Sequence, residues 1–183
     1  MPPLNCGPLG CGIEISAVSK VAFPNNRNMH DSVAFMWTAY LDSIGERPER
    51  TSLTFRAWHF CDNEREADEL ATLVLCGRKR ATAPCLWELG DDPLPSVNDL
   101  DIITYWSGVA CCVIRTTVVE IRPFADVPRE FAALEGEGDG SFEYWRRAHW
   151  AYYGRVLKPM GRAPSDEMPV VCQQFELVYP GVR

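Results

Sequence analysis

Apolar residues recur at helical spacing from Asp31 onward. Val33, Met36, Trp37, Tyr40, Leu41 and Ile44 share one face, Asp31 or Ser32 can cap its start, and Gly45 can end it. Leu53 to Phe60 is rich in aromatic residues and reads as a strand. Asn63 and Glu66 have capping-box spacing, and Ala67, Leu70, Ala71 and Val74 form the apolar face of a second helix that stops at Gly77. Strands are expected at 81–88, 100–106 and 109–122, the last two joined around Ser107-Gly108. Pro128 suits the first turn of a short helix over about 127–134. A longer helix follows, with Phe142, Trp145, His149, Tyr152, Tyr153 and Val156 on one side, and Val171, Phe175, Leu177 and Tyr179 alternate in a closing strand. The order α-β-α-β-β-β-α-α-β predicts one α+β domain around a curved, largely antiparallel sheet.

Residues 1–28 have no such period. They hold Pro2, Pro3, Gly7, Pro8, Gly10, Gly12, Pro24 and Asn25-Asn26, which reads as a loosely ordered extension. The expected organisation is therefore an extension over 1–30 and one domain over 31–183. With 183 residues, the chain is long enough for a core that needs no staple. Its formal charge of −7 argues against non-specific binding of long nucleic acid, which rests on neutralising phosphates with Lys and Arg. A nucleoside or a short RNA at a local basic patch remains compatible. The eight cysteines form no repeated CxxC pair and lie mostly in apolar runs, as expected of reduced cysteines in a cytoplasmic protein. No apolar stretch approaches the length of a membrane span, and nothing calls for an obligate protein partner.

Two segments look like neither ordinary core nor ordinary turn. Gly77-Arg-Lys-Arg-Ala-Thr82 sets a lysine three residues before a threonine at the end of a helix. Leu134-Glu-Gly-Glu-Gly-Asp139 packs Glu135, Glu137 and Asp139 into five residues, alternating with glycines. The first offers a candidate base and a hydroxyl, the second offers acids. Bland readings stand beside these: Lys79 suits a helix C-terminus, Thr82 suits a strand start, and Asp139 suits a helix cap. Glu135-x-Glu137-x-Asp139-Gly140 resembles the start of a calcium loop, but the twelfth position is Arg146 and supplies no closing carboxylate. No metal is assigned, although a loosely held divalent cation near Glu135, Glu137 and Asp139 stays open. His149 lies on the apolar face and reads as a hydrogen-bonded core residue.

The chain resembles the ASCH (activating-signal-cointegrator homology) domain in its longer bacterial form. The resemblance rests on Gly77-x-Lys79-x-x-Thr82, Pro93-Leu-Pro95 with Asp99, Val119-Glu120 leading to Pro123-Phe124-x-x-Val127, and Ala132 with Leu134-Glu-Gly-Glu-Gly-Asp139. It continues through Trp145-Arg146-x-x-His149 and Met168-Pro-Val-Val-Cys172 to Phe175-Glu176. Two positions depart from the pattern: Asn98 where Gly is common, and Gln173-Gln174 where the pair usually carries Glu. The resemblance implies a PUA-like curved antiparallel β-barrel with flanking helices, whose relatives recognise RNA. Small members are amidohydrolases that release acetate from 4-acetylcytidine, and some longer ones act as ribonucleases. Carried over by position, the implied catalytic residues are Lys79, Thr82 and Glu135. Arg78, Arg80, Trp87, Glu137, Asp139 and Arg146 are candidates for substrate binding. The alternative is an RNA-binding module without catalysis.

In the hydrolase, Lys79 would be the base that activates Thr82, its pKa lowered by burial and by the like charges of Arg78 and Arg80. Glu135 would pass the proton to the departing amine. Cooperation requires these residues to meet in one concave pocket, with Trp87 or Arg146 near its rim. A chain starting at Met29 is expected to melt at an unchanged temperature. A loss beyond roughly 2–4 °C, the effect of about 1 kcal/mol in a domain of this size, would show that the extension packs on the domain.

Overall fold

The structure is a computed structural model and describes residues 29–181. The expected extension over 1–28 lies outside the described residues. The elements run α1 (Asp31–Ser43), β1 (Phe55–Trp58), α2 (Glu64–Leu75), β2 (Ala81–Thr82), β3 (Leu100–Thr104), β4 (Ala110–Pro123), α3 (Arg129–Glu135), α4 (Phe142–Val156) and β5 (Pro169–Pro180). Short 3-10 turns at Phe124–Asp126 and Lys158–Met160 follow β4 and α4. None of these helices is long and apolar enough to cross a membrane.

Local chemistry accounts for most boundaries. His30, rather than Asp31 or Ser32, caps α1, its ring nitrogen accepting from the Ser32 amide. Ser32 instead uses its hydroxyl to accept from the Ala110 amide, tying α1 to β4. At α2, Asn63 accepts from the Glu66 amide at 3.1 Å and donates to the Glu66 carboxylate at 2.8 Å. This is a capping box with an amide in place of the usual hydroxyl. The helix closes on Gly77 at φ +72°, with Gly77 N donating to Val74 O and Arg78 N to Leu73 O. Those two bonds are a Schellman ending, and they turn the chain sharply inward at Lys79.

The sheet has the order β1-β3-β4-β5-β2. Its long pair is β4 with β5, antiparallel from Cys112↔Pro180 to Pro123↔Pro169, with register shifts near Ile114 and Val118. β1 is parallel to β3, because the segment between them carries α2 over the sheet as a crossover. The sheet is thus mixed, and it is open. The closed antiparallel barrel that the resemblance implies is not what these strands form, since β1 and β2 remain edges without a shared ladder. The expected strand 81–88 is also shorter. β2 pairs with β5 at only two residues, Cys85 adds an isolated bridge to Val170, and the chain then turns. Pro84 has no amide to continue a ladder, and Glu88 N donates back to Cys85 O.

Three apolar clusters fill the domain. α1 packs Val33, Trp37 and Leu41 on Phe55, Ile102 and Val113, while α2 packs Leu70, Ala71 and Val74 on Ile103, Ile114 and Phe175. α3 and α4 pack Phe131, Trp145, Tyr153 and Leu157 against Ala81, Cys85 and Val170. This third cluster brings the end of α3 against the turn after α2. Gly136, at φ +62°, sits so close that a Cβ there would lie 2.5 Å from the Arg78 carbonyl oxygen. Gly136→Ala is therefore expected to cost more than about 1 kcal/mol, from left-handed strain plus a backbone clash. Urea unfolding at equilibrium measures it.

Candidate functional site

The inward turn after α2 carries Lys79 into the interior, where its side chain is 1% exposed. Its Nζ donates to Glu135 Oε2 at 2.7 Å and to Glu137 Oε1 at 2.6 Å. Both acids can reach one ammonium because Glu135 ends α3 and the left-handed Gly136 reverses the chain between them. The Arg78 guanidinium donates to Gly136 O at 2.9 Å, and Arg80 N donates to Leu134 O, so the two motif segments are bonded backbone to backbone as well. The Phe60 ring lies 5.0 Å below the ammonium.

α4 completes the surroundings of Glu135. Trp145 Nε1 donates to Glu135 Oε1 at 2.8 Å, and His149 Nε2 stands 3.3 Å from the same oxygen. The His149 ring stacks on Trp145 with centroids 4.3 Å apart. Burial opposes the charge on every member of this group, and mutual attraction outweighs it. Burial would raise the Glu135 pKa, but Lys79 and His149 bring it down to about 2. Burial would lower the Lys79 pKa, but Glu135 and Glu137 hold it raised. Lys79 is thus a firmly charged ammonium. The condition for its acting as a base is reversed, because Arg78 and Arg80 are exposed and the nearest charges are carboxylates.

Lys79, Thr82, Glu135, Glu137 and His149 all line one cavity of about 730 Å³. Its walls run from β1 (Arg56 to Trp58) and Phe60 across to Thr82 and Pro84, so it lies where the two sheet edges approach without pairing. Thr82 pairs in register with Gln173, which is buried and donates to Thr116 Oγ1 at 2.8 Å. The departure at Gln173 therefore falls on the cavity wall. Arg78, Arg80, Trp87, Asp139 and Arg146 lie outside the lining. Asp139 accepts from the amide and hydroxyl of Ser141, the cap of α4. Arg146 pairs with Asp166 and covers Phe124, and Trp87 stacks under Arg162.

Several lining residues were not singled out from sequence. Arg56 is held against the cavity by the fully buried Asp101, its register partner in β3, at 2.9 Å. An acid inside the apolar run Leu100–Thr104 signals such a partner. Arg147 reaches the cavity from the exposed side of α4, over the Tyr144 ring. Glu88 Oε1 accepts from the Cys85 amide at 3.2 Å, whereas Oε2 is buried outside hydrogen-bond geometry with any donor among the described residues. Burial, partly offset by that amide, raises the Glu88 pKa to about 7. For a cation, one ligand atom each of Glu135, Glu137 and His149 lie within 4.8 Å of one another, without Asp139. The Lys79 ammonium already sits on both carboxylates, so the positive charge that a metal would supply is in place.

An α+β domain with a buried lysine–carboxylate cluster at the seam of an open sheet has relatives. The sequence profile of the ASCH domain matches residues 56–179. An ASCH domain from Lactobacillus crispatus JV V101 is 31% identical, with a TM-score of 0.75 over 84% of this chain and 98% of that one. A protein from Enterococcus faecalis V583 is 30% identical, with a TM-score of 0.72 over 83% of this chain and 95% of that one. No curated protein matches the chain. The chain belongs to the ASCH domain family.

Glu88 supplies a test of the cavity wall. Its pKa is raised on folding, so the stability it contributes is complete below its ordinary value and is lost as pH rises through about 7. Glu88→Gln removes that loss. The variant is expected to gain melting temperature over the wild type at about pH 8 and to gain less at about pH 5. Calorimetry at the two pH values checks this.

Proposed function

We propose that this protein is a hydrolase that opens an acyl amide on a modified pyrimidine nucleoside, of the 4-acetylcytidine kind, free or within a short RNA. One observation carries the reading. The Lys79–Glu135–Glu137 cluster and Thr82 line the same cavity, whose volume of about 730 Å³ has room for a nucleoside and a flanking group. The family's small amidohydrolases support the substrate class, and the walls of Trp58, Phe60, Tyr144 and Tyr152 suit a planar base.

Thr82 Oγ attacks the acyl carbon and gives its proton to a carboxylate of the cluster. Lys79 cannot take it, because it is already an ammonium; its charge instead offsets the negative charge that develops on the carbonyl oxygen. Glu135 has both oxygens committed to Lys79, Trp145 and His149. Glu137 is 15% exposed and has one oxygen on Lys79, so it is the better proton acceptor. As the C–N bond breaks, that proton passes to the departing amine and leaves an ester on Thr82. Water then cleaves the ester, releasing the carboxylic acid and restoring the hydroxyl.

Incubation with 4-acetylcytidine and with short acetylated RNA, followed by mass analysis, tests the reading. The expected products are acetate and cytidine, or the deacetylated RNA with intact phosphodiesters. Thr82→Ser keeps the hydroxyl and substantial activity, whereas Thr82→Val loses about 100-fold or more. Equal activity of the two variants removes Thr82 as nucleophile. RNA retained without any product makes the domain a binding module. Lys79→Ala is a poor test by itself, since unpairing buried carboxylates costs about 3–5 kcal/mol of stability.

A further inference from the structure

We propose that His149 is a doubly protonated imidazolium in the resting protein and the positioning residue whose charge balances the Glu135 carboxylate and so leaves Lys79 free to face the substrate. The consequence for catalysis rests on the hydrolase reading; the protonation state does not.

Both ring nitrogens face groups that only accept. Nδ1 lies 3.1 Å from the Trp145 carbonyl oxygen one helical turn earlier, so it carries a proton. Nε2 stands 3.3 Å from Glu135 Oε1. In the neutral ring with its proton on Nδ1, the bare lone pair of Nε2 would face a carboxylate oxygen. Moving the proton to Glu135 would relieve that contact, but Glu135 is held as a carboxylate from its other sides. Oε1 accepts from Trp145 Nε1 and Oε2 from the Lys79 ammonium. The second proton therefore belongs on Nε2.

Charge counting leads to the same state. Lys79, Glu135 and Glu137 sum to one negative charge in a place where two of the three are 1% exposed. An uncompensated charge there is costly, and an imidazolium brings the group to zero. The charged and titratable groups around the ring come from every side. Glu135 ends α3, Glu137 follows it, Lys79 comes from the turn after α2, Glu88 from the loop after β2, and Tyr153 from α4 itself. Burial works against the charge on His149, and Glu135 outweighs it, so the ring holds its second proton above the ordinary histidine range. When His149 loses that proton at alkaline pH, Glu135 keeps its charge and the buried group becomes net negative. Lys79 is then drawn more strongly to the carboxylates and less to the substrate carbonyl.

Long-range ¹H–¹⁵N spectra of the full chain read the ring directly. The sequence has three histidines, so His30→Gln and His59→Gln assign the signals. At about pH 7 both His149 nitrogens are expected in the protonated range, and the second proton is expected to leave near neutrality in Glu135→Gln. A single neutral tautomer in the wild type at that pH overturns the inference, whether or not Glu135→Gln folds. In turnover, His149→Gln is expected to lose about 10-fold or more in kcat with KM nearly unchanged, and to lose the alkaline fall of the wild-type profile. An unaltered pH profile overturns the positioning role. If no substrate is turned over, the spectra still decide the protonation state, so failure of the hydrolase reading and failure of this inference are told apart.

Discussion

Everything in this site depends on one ammonium placed between two carboxylates inside the protein. Removing Lys79 and Glu135 from water costs several kcal/mol per ion, and the cost is met only if the geometry is held within tenths of an ångström. The fold supplies that geometry redundantly. A Schellman ending aims Lys79 inward, Gly136 permits two acids to converge on it, and bonds from the Arg78 guanidinium and the Arg80 amide lock the two turns together. Trp145 and His149 then occupy the remaining faces of Glu135. Because each support comes from a different element, the cluster is also a clasp that joins α2, α3 and α4 around the edge of the sheet.

The open sheet is the complement of this clasp. Closing a ladder between β1 and β2 would bring their backbones to hydrogen-bonding distance and leave no room for a ligand. Here Arg56 and Asp101 neutralise each other at the β1 side, Thr82 and Gln173 stand at the β2 side, and the gap between them is the cavity. The site thus uses the position where strand pairing stops: β2 pairs with β5 only at Ala81 and Thr82, and Pro84 has no amide to carry the ladder further.

Much of this was legible in the chain. The element order, the helical faces of α1, α2 and α4, and the meeting of Lys79 with Glu135 follow from periodicity, caps and motif resemblance. What was not legible has definite physical causes. The parallel pairing of β1 with β3 depends on which way α2 crosses the sheet, and no local pattern reports that. The role expected of Arg78 and Arg80 assumed that neighbours in sequence are neighbours in space. The helix ending turns Arg80 to the surface and Arg78 onto the Gly136 carbonyl, and leaves Lys79 with carboxylates. His149 was read as core from its apolar face, and it is buried. Periodicity carries no sign that Glu135, also buried, lies against it.

A buried lysine is often taken for a base, because burial lowers its pKa. That inference holds only for a lysine buried without acids. Here each step of burial that would deprotonate Lys79 also brings Glu135 and Glu137 closer, and at 2.6–2.7 Å attraction prevails over desolvation. The same logic extends outward: a cluster with two fixed anions requires two cations, and the described residues provide the second as a histidine. The chemistry available to the site is then set by charge balance. Lys79 offers a fixed positive charge, which Glu135 helps to hold, and Glu137 offers the more accessible of the two carboxylates. Overall acidity of the chain is no obstacle to the proposed hydrolase, because a small uncharged group is bound by shape and by local charge rather than by the field of the whole protein.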